Sequence, residues 1–118
     1  MASGKNTNTP YKLGLALSGG GAKGFAHLGA IQALWEKGLK PDIISGTSAG
    51  ALAGAFIADG YTPEEALRLF EKRSFREFTE FTISGSGISK TSRLLTFLVK
   101  NLRAKKFEDL KIPLVITA

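Results

Sequence analysis

Cysteine is absent from this 118-residue chain, and its absence excludes several kinds of chemistry. Without a thiol the chain cannot form a disulfide, a thiolate metal site or a cysteine nucleophile. The composition suits a reducing compartment, so we expect a cytoplasmic protein. Long apolar runs are missing too, because the longest, around residues 49–58, is too short for a membrane span. The polar segment Met1–Pro10 lacks the apolar core of a signal peptide and is predicted to form a flexible leader.

Acidic residues are also few, and the resulting positive charge is concentrated in one segment. The chain has 16 Lys and Arg against 10 Asp and Glu, a net charge of +6. Residues 72–111 hold ten of the basic residues and only four acidic ones, and they include Phe75, Phe78 and Phe81. Aromatic and basic residues together suit peripheral contact with an anionic membrane. A solvated helix face and ordinary core packing explain the same pattern. We expect no nucleic acid partner, and the sequence leaves the oligomeric state open.

The order of predicted elements indicates an α/β fold. Short apolar runs predict strands, apolar residues at helical spacing predict helices, and glycines separate them. The pattern implies parallel strands joined by right-handed crossovers, with helices on both faces of the sheet. Because the last strand coincides with the chain end, we expect residues 11–118 to be the N-terminal part of a domain truncated before its C-terminal half. The predicted strands are Leu13–Ser18, Asp42–Ser45 and Pro113–Ala118. The predicted helices are about 26–37, 48–58, 62–73 and 91–103, the last with Leu94, Leu95, Leu98 and Leu102 inward.

A G-x-S-x-G pattern, Gly46-Thr47-Ser48-Ala49-Gly50, lies between a predicted strand and a predicted helix. A serine on such a sharp turn projects its hydroxyl above the sheet, and the flanking glycines let strand and helix approach closely. The start of the helix also favours negative charge near the serine. Ser48 is therefore a candidate nucleophile.

A glycine-rich loop, Ser18–Gly24, follows the first predicted strand. Its backbone N–H groups are free to point at an anion, which in an acyl hydrolase is the oxyanion of the tetrahedral intermediate. Gly19, Gly21 and Gly24 also satisfy the dinucleotide fingerprint G-x-G-x-x-G, which keeps a nucleotide-binding module as an alternative. That fingerprint requires an acid near the end of the second strand, where this chain has Ser45-Gly46. A Walker A loop fails because Lys23 precedes Gly24 and Phe25 follows it.

Taken together, the two motifs resemble the patatin-like phospholipase family. The resemblance covers GGGAKG, the helical GFAHLGAIQAL and the strand that runs into GTSAG, about Leu13 to Ala58. It implies a serine lipid acyl hydrolase, of phospholipase A or esterase type, that cleaves carboxylic esters of lipids. By the resemblance Ser48 is the nucleophile, and the oxyanion hole is formed by Gly19, Gly20, Gly21 and Gly24. It implies no metal and no organic cofactor.

The resemblance also implies a Ser–Asp dyad, and this chain departs from the family pattern there. The family's aspartate lies in a D-G-A or D-G-G motif well downstream of the serine, whereas the only Asp-Gly here is Asp59-Gly60. About ten helical residues would place Asp59 roughly 15 Å from Ser48, too far for a base. We therefore expect the dyad aspartate beyond this chain and the 118 residues alone to be inactive or strongly impaired. A non-catalytic fragment that binds a membrane or partner remains the alternative.

Two further residues near the glycine loop have open roles. His27, the only histidine, is expected to be structural, because a base must reach the Ser48 proton. Lys23 either attracts an anionic head group of the substrate or only supports the loop.

Overall fold

Strands and helices follow one another in the predicted order. The computed structural model describes residues 11–72 and 88–117. Within them, short 3₁₀ turns cover Gly21–Gly24 and Phe107–Asp109. The strands are β1 (Gly14–Leu17), β2 (Ile43–Thr47) and β3 (Leu114–Thr117), and the helices are α1 (Phe25–Glu36), α2 (Ala49–Ala58), α3 (Pro63–Phe70) and α4 (Ile88–Asn101). The leader predicted for residues 1–10, and Phe75, Phe78 and Phe81, lie outside these ranges, so peripheral membrane contact stays a prediction. No helix of the described ranges is long and apolar enough to cross a bilayer.

The three strands form one parallel sheet in the order β1-β2-β3. Leu15 lies opposite Ile44, which lies opposite Leu114 in the next strand. The predicted α/β fold with parallel strands is confirmed. Because the strands are parallel, the loops that follow β1 and β2 emerge at the same edge of the sheet, which brings the two predicted motifs together.

Helix α2 packs on one face of the sheet at short range. Gly54 allows this, because a Cβ at that position would lie 3.0 Å from Cγ2 of Ile44 and 3.5 Å from Cδ1 of Leu17. Leu17 and Ile44 are buried, whereas the next side chains along the strands, Ala16 and Ser45, are exposed and half-buried. Both crossovers advance across the sheet in the same direction, so right-handed connections place α1 and α2 on the same side. In the described part of the chain, the predicted helical cover is thus seen on this one face.

Four phenylalanines, one from each helix, pack together beside α2. The Phe56 ring lies 5.2 Å from Phe70 and 5.9 Å from Phe97, and Phe70 lies 6.1 Å from Phe25, measured between ring centroids. Edge-on and tilted ring pairs of this kind contribute about 0.5–1.5 kcal/mol each beyond their buried area. The cluster therefore fixes α4, which is distant in sequence, against the first three helices.

The residues that line the inner face of α4 differ from the prediction at one position. Leu94, Leu98 and Leu102 are half-buried against the core, as predicted. Leu95 was expected inward but is 60% exposed. The reason is helical geometry, because a residue that follows Leu94 directly lies about 100° further around the helix and leaves the i, i+4 stripe.

Hydrogen bonds at two helix and strand ends account for residues singled out in the sequence. Thr62 caps α3 by accepting from the Glu65 N–H at 3.1 Å, with Pro63 as first helical residue, as predicted. Asp42, at the start of β2, accepts from the N–H groups of Lys12 at 2.8 Å and Leu13 at 3.0 Å. These donors hold the pKa of the Asp42 carboxyl below its ordinary value of 3.8. Asp42 thus ties the segment before β1 to β2.

Replacing Asp42 by asparagine should make stability less dependent on pH. A carboxyl whose pKa is lower in the folded state contributes stability above its unfolded pKa and loses it as pH falls through the folded pKa. We expect Asp42→Asn to melt at a lower temperature than the unaltered protein at pH 7, and the difference to shrink below about pH 4. Thermal melting across this pH range measures the effect. Asp109→Asn is the control, since the Asp109 carboxylate accepts no hydrogen bond within the described ranges. A melting difference that is constant across the pH range would contradict the assignment.

Candidate functional site

Ser48 occupies a strained turn between β2 and α2. Strand β2 ends at Thr47, and α2 begins at Ala49. The backbone of Ser48 has φ 52° and ψ −122°, and no other non-glycine residue of the described ranges has positive φ. A conformation of this kind costs on the order of 1–3 kcal/mol and persists only where the surrounding structure enforces it. The side chain is exposed. The turn therefore presents the Ser48 hydroxyl to solvent above the sheet.

The glycines on either side of Ser48 are required by close packing. A Cβ on Gly46 would lie 2.6 Å from the carbonyl oxygen of Gly50, and a Cβ on Gly50 would overlap the carbonyl oxygen of Leu17. Both contacts are with backbone, which cannot move aside as a flexible side chain can. The turn can thus form only with the smallest residue at each position, which is the physical basis of the spacing seen in the sequence.

The glycine-rich loop lies directly against this turn. A Cβ on Gly19 would lie 3.4 Å from the Ser48 Cβ, and one on Gly24 would lie 2.6 Å from the Ala49 Cβ. Gly21 has φ +54° and open space around it. The structure therefore brings the glycine loop and Ser48 together, as the sequence predicts. Gly24 has a packing reason to be glycine that is independent of any role in binding an anion.

Backbone donors surround the Ser48 side of the loop. Within the described ranges, the N–H groups of Gly19 and Gly20 donate to no backbone carbonyl. Ala49 is the first residue of α2, so its N–H has no carbonyl partner within the helix, and the helix dipole adds positive potential there. The sequence analysis named the glycines but not the Ala49 N–H, although the position directly after a nucleophile in G-x-S-x-G would have indicated it.

His27 holds the glycine loop from below. Its Nε2 lies 2.7 Å from the carbonyl oxygen of Ser18, the residue before Gly19. A carbonyl oxygen only accepts, so Nε2 carries the proton and donates. This hydrogen bond gives His27 a structural role of the kind expected. Lys23 is exposed on the 3₁₀ turn and is not among the residues that line the cavity next to Ser48.

Ser48 opens onto a cavity of about 700 Å³. The alanines of α2 leave room on one side, and the leucine stripe of α4 closes the other. Two of the lining residues, Lys105 and Lys106, are basic, and none is acidic. The remaining lining residues are glycine or apolar, namely Gly21, Gly24, Phe25, Ala49, Ala51, Leu52, Ala55, Phe70, Leu94, Leu98, Leu102, Ala104, Phe107, Leu110, Leu114 and Ile116.

The carboxylate of Asp59 is engaged at the far end of α2. Asp59 is 3% exposed and accepts from the N–H groups of Arg103 at 2.8 Å and Ala104 at 2.9 Å. It caps the end of the helix that Ser48 precedes, roughly 15 Å away by helical rise. The position at a helix end agrees with the sequence analysis, which did not foresee the two backbone partners.

The sequence as a whole matches a family that uses this arrangement. The family model described as "Patatin-like phospholipase" matches residues 15–117. The chain belongs to the patatin-like phospholipase family. The match begins at β1 and ends at β3, so it includes both motifs and the cavity wall.

Several relatives share parts of this patatin-like sequence. The Bacillus subtilis protein YqhO is 53% identical over 55 residues, which are 47% of this chain and 19% of the relative. The NTE family protein Rv1063c of Mycobacterium tuberculosis is 34% identical over 109 residues, 91% of this chain and 30% of the relative. Lysophospholipase NTE1 of Saccharomyces cerevisiae is 51% identical over 49 residues, 42% of this chain and 3% of the relative. The chain thus spans less than a third of each of these proteins.

Replacing His27 should separate a structural role from a catalytic one. We expect His27→Leu to lower the free energy of unfolding by about 1 kcal/mol, because the Ser18 carbonyl loses its donor. The Gly19 and Gly20 amides should then exchange hydrogen faster. His27→Gln, which keeps a donor, should lose less stability and should retain covalent labelling of Ser48 by a fluorophosphonate. Loss of labelling in the stable glutamine variant would instead indicate that His27 is the base.

Proposed function

We propose that this chain carries the nucleophile and the oxyanion hole of a serine lipid acyl hydrolase of phospholipase A or esterase type. The observation that carries the proposal is the position of Ser48, exposed on a strained turn at an apolar cavity of about 700 Å³. A serine with no chemical role would gain nothing from the strain, since glycine would adopt the same backbone more easily. Strain of this kind is typical of functional sites.

The substrate class follows from the lining of the cavity. An acyl chain that enters it exchanges water for the leucine, alanine and phenylalanine side chains of α2, α4 and β3, which is favourable by about 0.8 kcal/mol per buried methylene. The ester carbonyl would then lie at the exposed Ser48, with the polar remainder of the lipid toward solvent. The name of the yeast relative, a lysophospholipase, agrees with a lipid ester substrate.

The reaction proceeds through an acyl-enzyme in this proposal. Ser48 Oγ attacks the acyl carbonyl carbon, its proton passes to a base, and the alcohol part of the lipid leaves with a proton. Water then attacks the acyl-serine, and the fatty acid leaves as Ser48 recovers its proton. The tetrahedral oxyanion of both steps is held by N–H groups of the glycine loop, Gly19 to Gly21, and by the Ala49 N–H at the start of α2. Gly24 supports the hole through its packing on Ala49.

The base belongs to a Ser–Asp dyad whose aspartate we place outside these 118 residues. Asp59 is engaged with two backbone N–H groups at the far end of α2, and Asp42 binds Lys12 and Leu13 at the opposite end of β2. No residue that lines the cavity is acidic. The whole protein is therefore the form in which turnover should be measured.

Ser48→Ala in the whole protein should abolish ester hydrolysis and fluorophosphonate labelling without unfolding the protein. The hydroxyl is exposed, so its removal changes little packing and stability should stay within about 0.5 kcal/mol. Mass spectrometry of labelled peptides locates the adduct, and Ser18→Ala, a nearby exposed serine, is the control. The 118-residue chain without its partner base should label and turn over far more slowly. An adduct on Ser18 or Ser45 would show that the nucleophile is misassigned.

Gly20→Val should slow phosphonylation of Ser48 and lipid turnover by about 10²-fold or more, the scale of losing one oxyanion donor. A Cβ at Gly20 would lie 3.7 Å from the Gly24 nitrogen, so the loop can accept it without a clash while the branched side chain redirects the N–H. Gly29→Val on α1, where a Cβ also has open space, is the matched control and should change the rate little. Equal rates for the two variants would mean that the loop is not the oxyanion hole.

A further inference from the structure

The charged residues that line the cavity form an adjacent pair, Lys105 and Lys106. Both are also exposed, so they lie where the cavity meets solvent. Ser48 shares this combination of exposure and cavity contact. The mouth of the cavity thus carries a hydroxyl and two cations, and its interior is apolar.

The segment that carries the two lysines is held by hydrogen bonds on both sides. The buried Asp59 carboxylate accepts from the N–H groups of Arg103 and Ala104, directly before the pair. The carbonyl of Lys106 accepts from the Asp109 N–H at 3.1 Å, directly after it. An anchored backbone reduces the ordering that a bound ligand would otherwise require.

The positive charge of this pair is not neutralised by neighbouring side chains. Arg103 is engaged, because its guanidinium lies 4.2 Å from the centroid of the Tyr61 ring and 3.9 Å from Glu65. Within residues 11–72 and 88–117, neither Lys105 nor Lys106 lies in an ion pair. The acidic residues that follow, Glu108 and Asp109, are exposed and do not line the cavity. Two cations therefore remain available to an anion at the mouth.

We propose that Lys105 and Lys106 form a subsite for the phosphate of a lipid whose acyl chain occupies the cavity, so that the protein prefers phosphate-bearing lipid esters to neutral ones. The inference rests on the proposed function and adds to it the head-group class. An ester lies between an apolar chain and a polar head group, and the same order is found here from cavity to Ser48 to lysines. Lysine is a common point-charge partner of phosphate.

Packing of the lysine stems alone would also place these residues on the cavity lining, because long basic side chains cover apolar surface with their methylenes. The two explanations differ in what the charge does. Methionine keeps a flexible apolar stem and removes the charge, whereas arginine keeps the charge. Variants of these two kinds separate packing from phosphate binding.

The test is equilibrium binding to the whole protein carrying Ser48→Ala, which prevents turnover. The probes are 1-decanoyl-glycerol 3-phosphate and 1-decanoyl-glycerol, both below their critical micelle concentrations, with inorganic phosphate and glycerol 3-phosphate as competitors. We expect the phosphate-bearing lipid to bind about five-fold more tightly or better, the scale of two exposed charge contacts. Lys105→Met with Lys106→Met should remove this preference but keep the affinity for the neutral lipid. Lys105→Arg with Lys106→Arg should retain the preference.

Lys37→Met with Lys100→Met is the matched control, because both lysines are exposed, neither lines the cavity, and the change in net charge is the same. The proposal is overturned if the preference survives in the Lys105/Lys106 methionine variant, or if the control variant loses it equally. It is also overturned if inorganic phosphate displaces the lipid as well as glycerol 3-phosphate does and still binds with no chain in the cavity, since the site would then serve free phosphate. Failure of Ser48 labelling in the protein with its native serine would refute the nucleophile alone, because binding is measured without it.

Discussion

The site depends on how closely the start of α2 approaches the ends of β1 and β2. Backbone atoms of Gly46 and Gly50 meet at a distance that leaves no room for a Cβ on either, and Gly50 lies against the Leu17 carbonyl. Because helix and strand are held this tightly, the one residue between them has no relaxed conformation available. The strained backbone of Ser48, the neighbouring glycine loop and the free N–H groups at the helix start are all consequences of that contact.

A second contact, far from Ser48, gives the site its apolar side. The Phe56, Phe70 and Phe97 rings hold α4 beside α2, and Asp59 fixes the chain just after α4 through two backbone N–H groups. The first interaction is apolar and nondirectional, whereas the second is polar and sets the position of individual backbone atoms. Together they keep the cavity wall at a defined distance from the turn that carries Ser48.

Local features of the chain made the fold and the turn predictable, and features that depend on distant segments were not. Short apolar runs ended by glycine indicated β1 and β2, and the Thr62-Pro63 pair with Glu65 indicated the start of α3, because each signal lies within a few residues. The orientation of Leu95 was wrong because one helical face had to be chosen before its neighbours were known. The cavity and the partners of Asp59 join residues more than forty positions apart, and no local pattern records them.

The backbone of Ser48 also has a consequence for how this sequence tolerates change. At φ 52° and ψ −122° glycine is the residue that the local geometry favours, and a serine is retained there against a penalty on the order of 1–3 kcal/mol. Selection or redesign for thermal stability alone would therefore tend to replace Ser48, and a more stable descendant of this chain would be one that had lost its hydroxyl. Retention of serine at this position is best read as a trade of stability for activity.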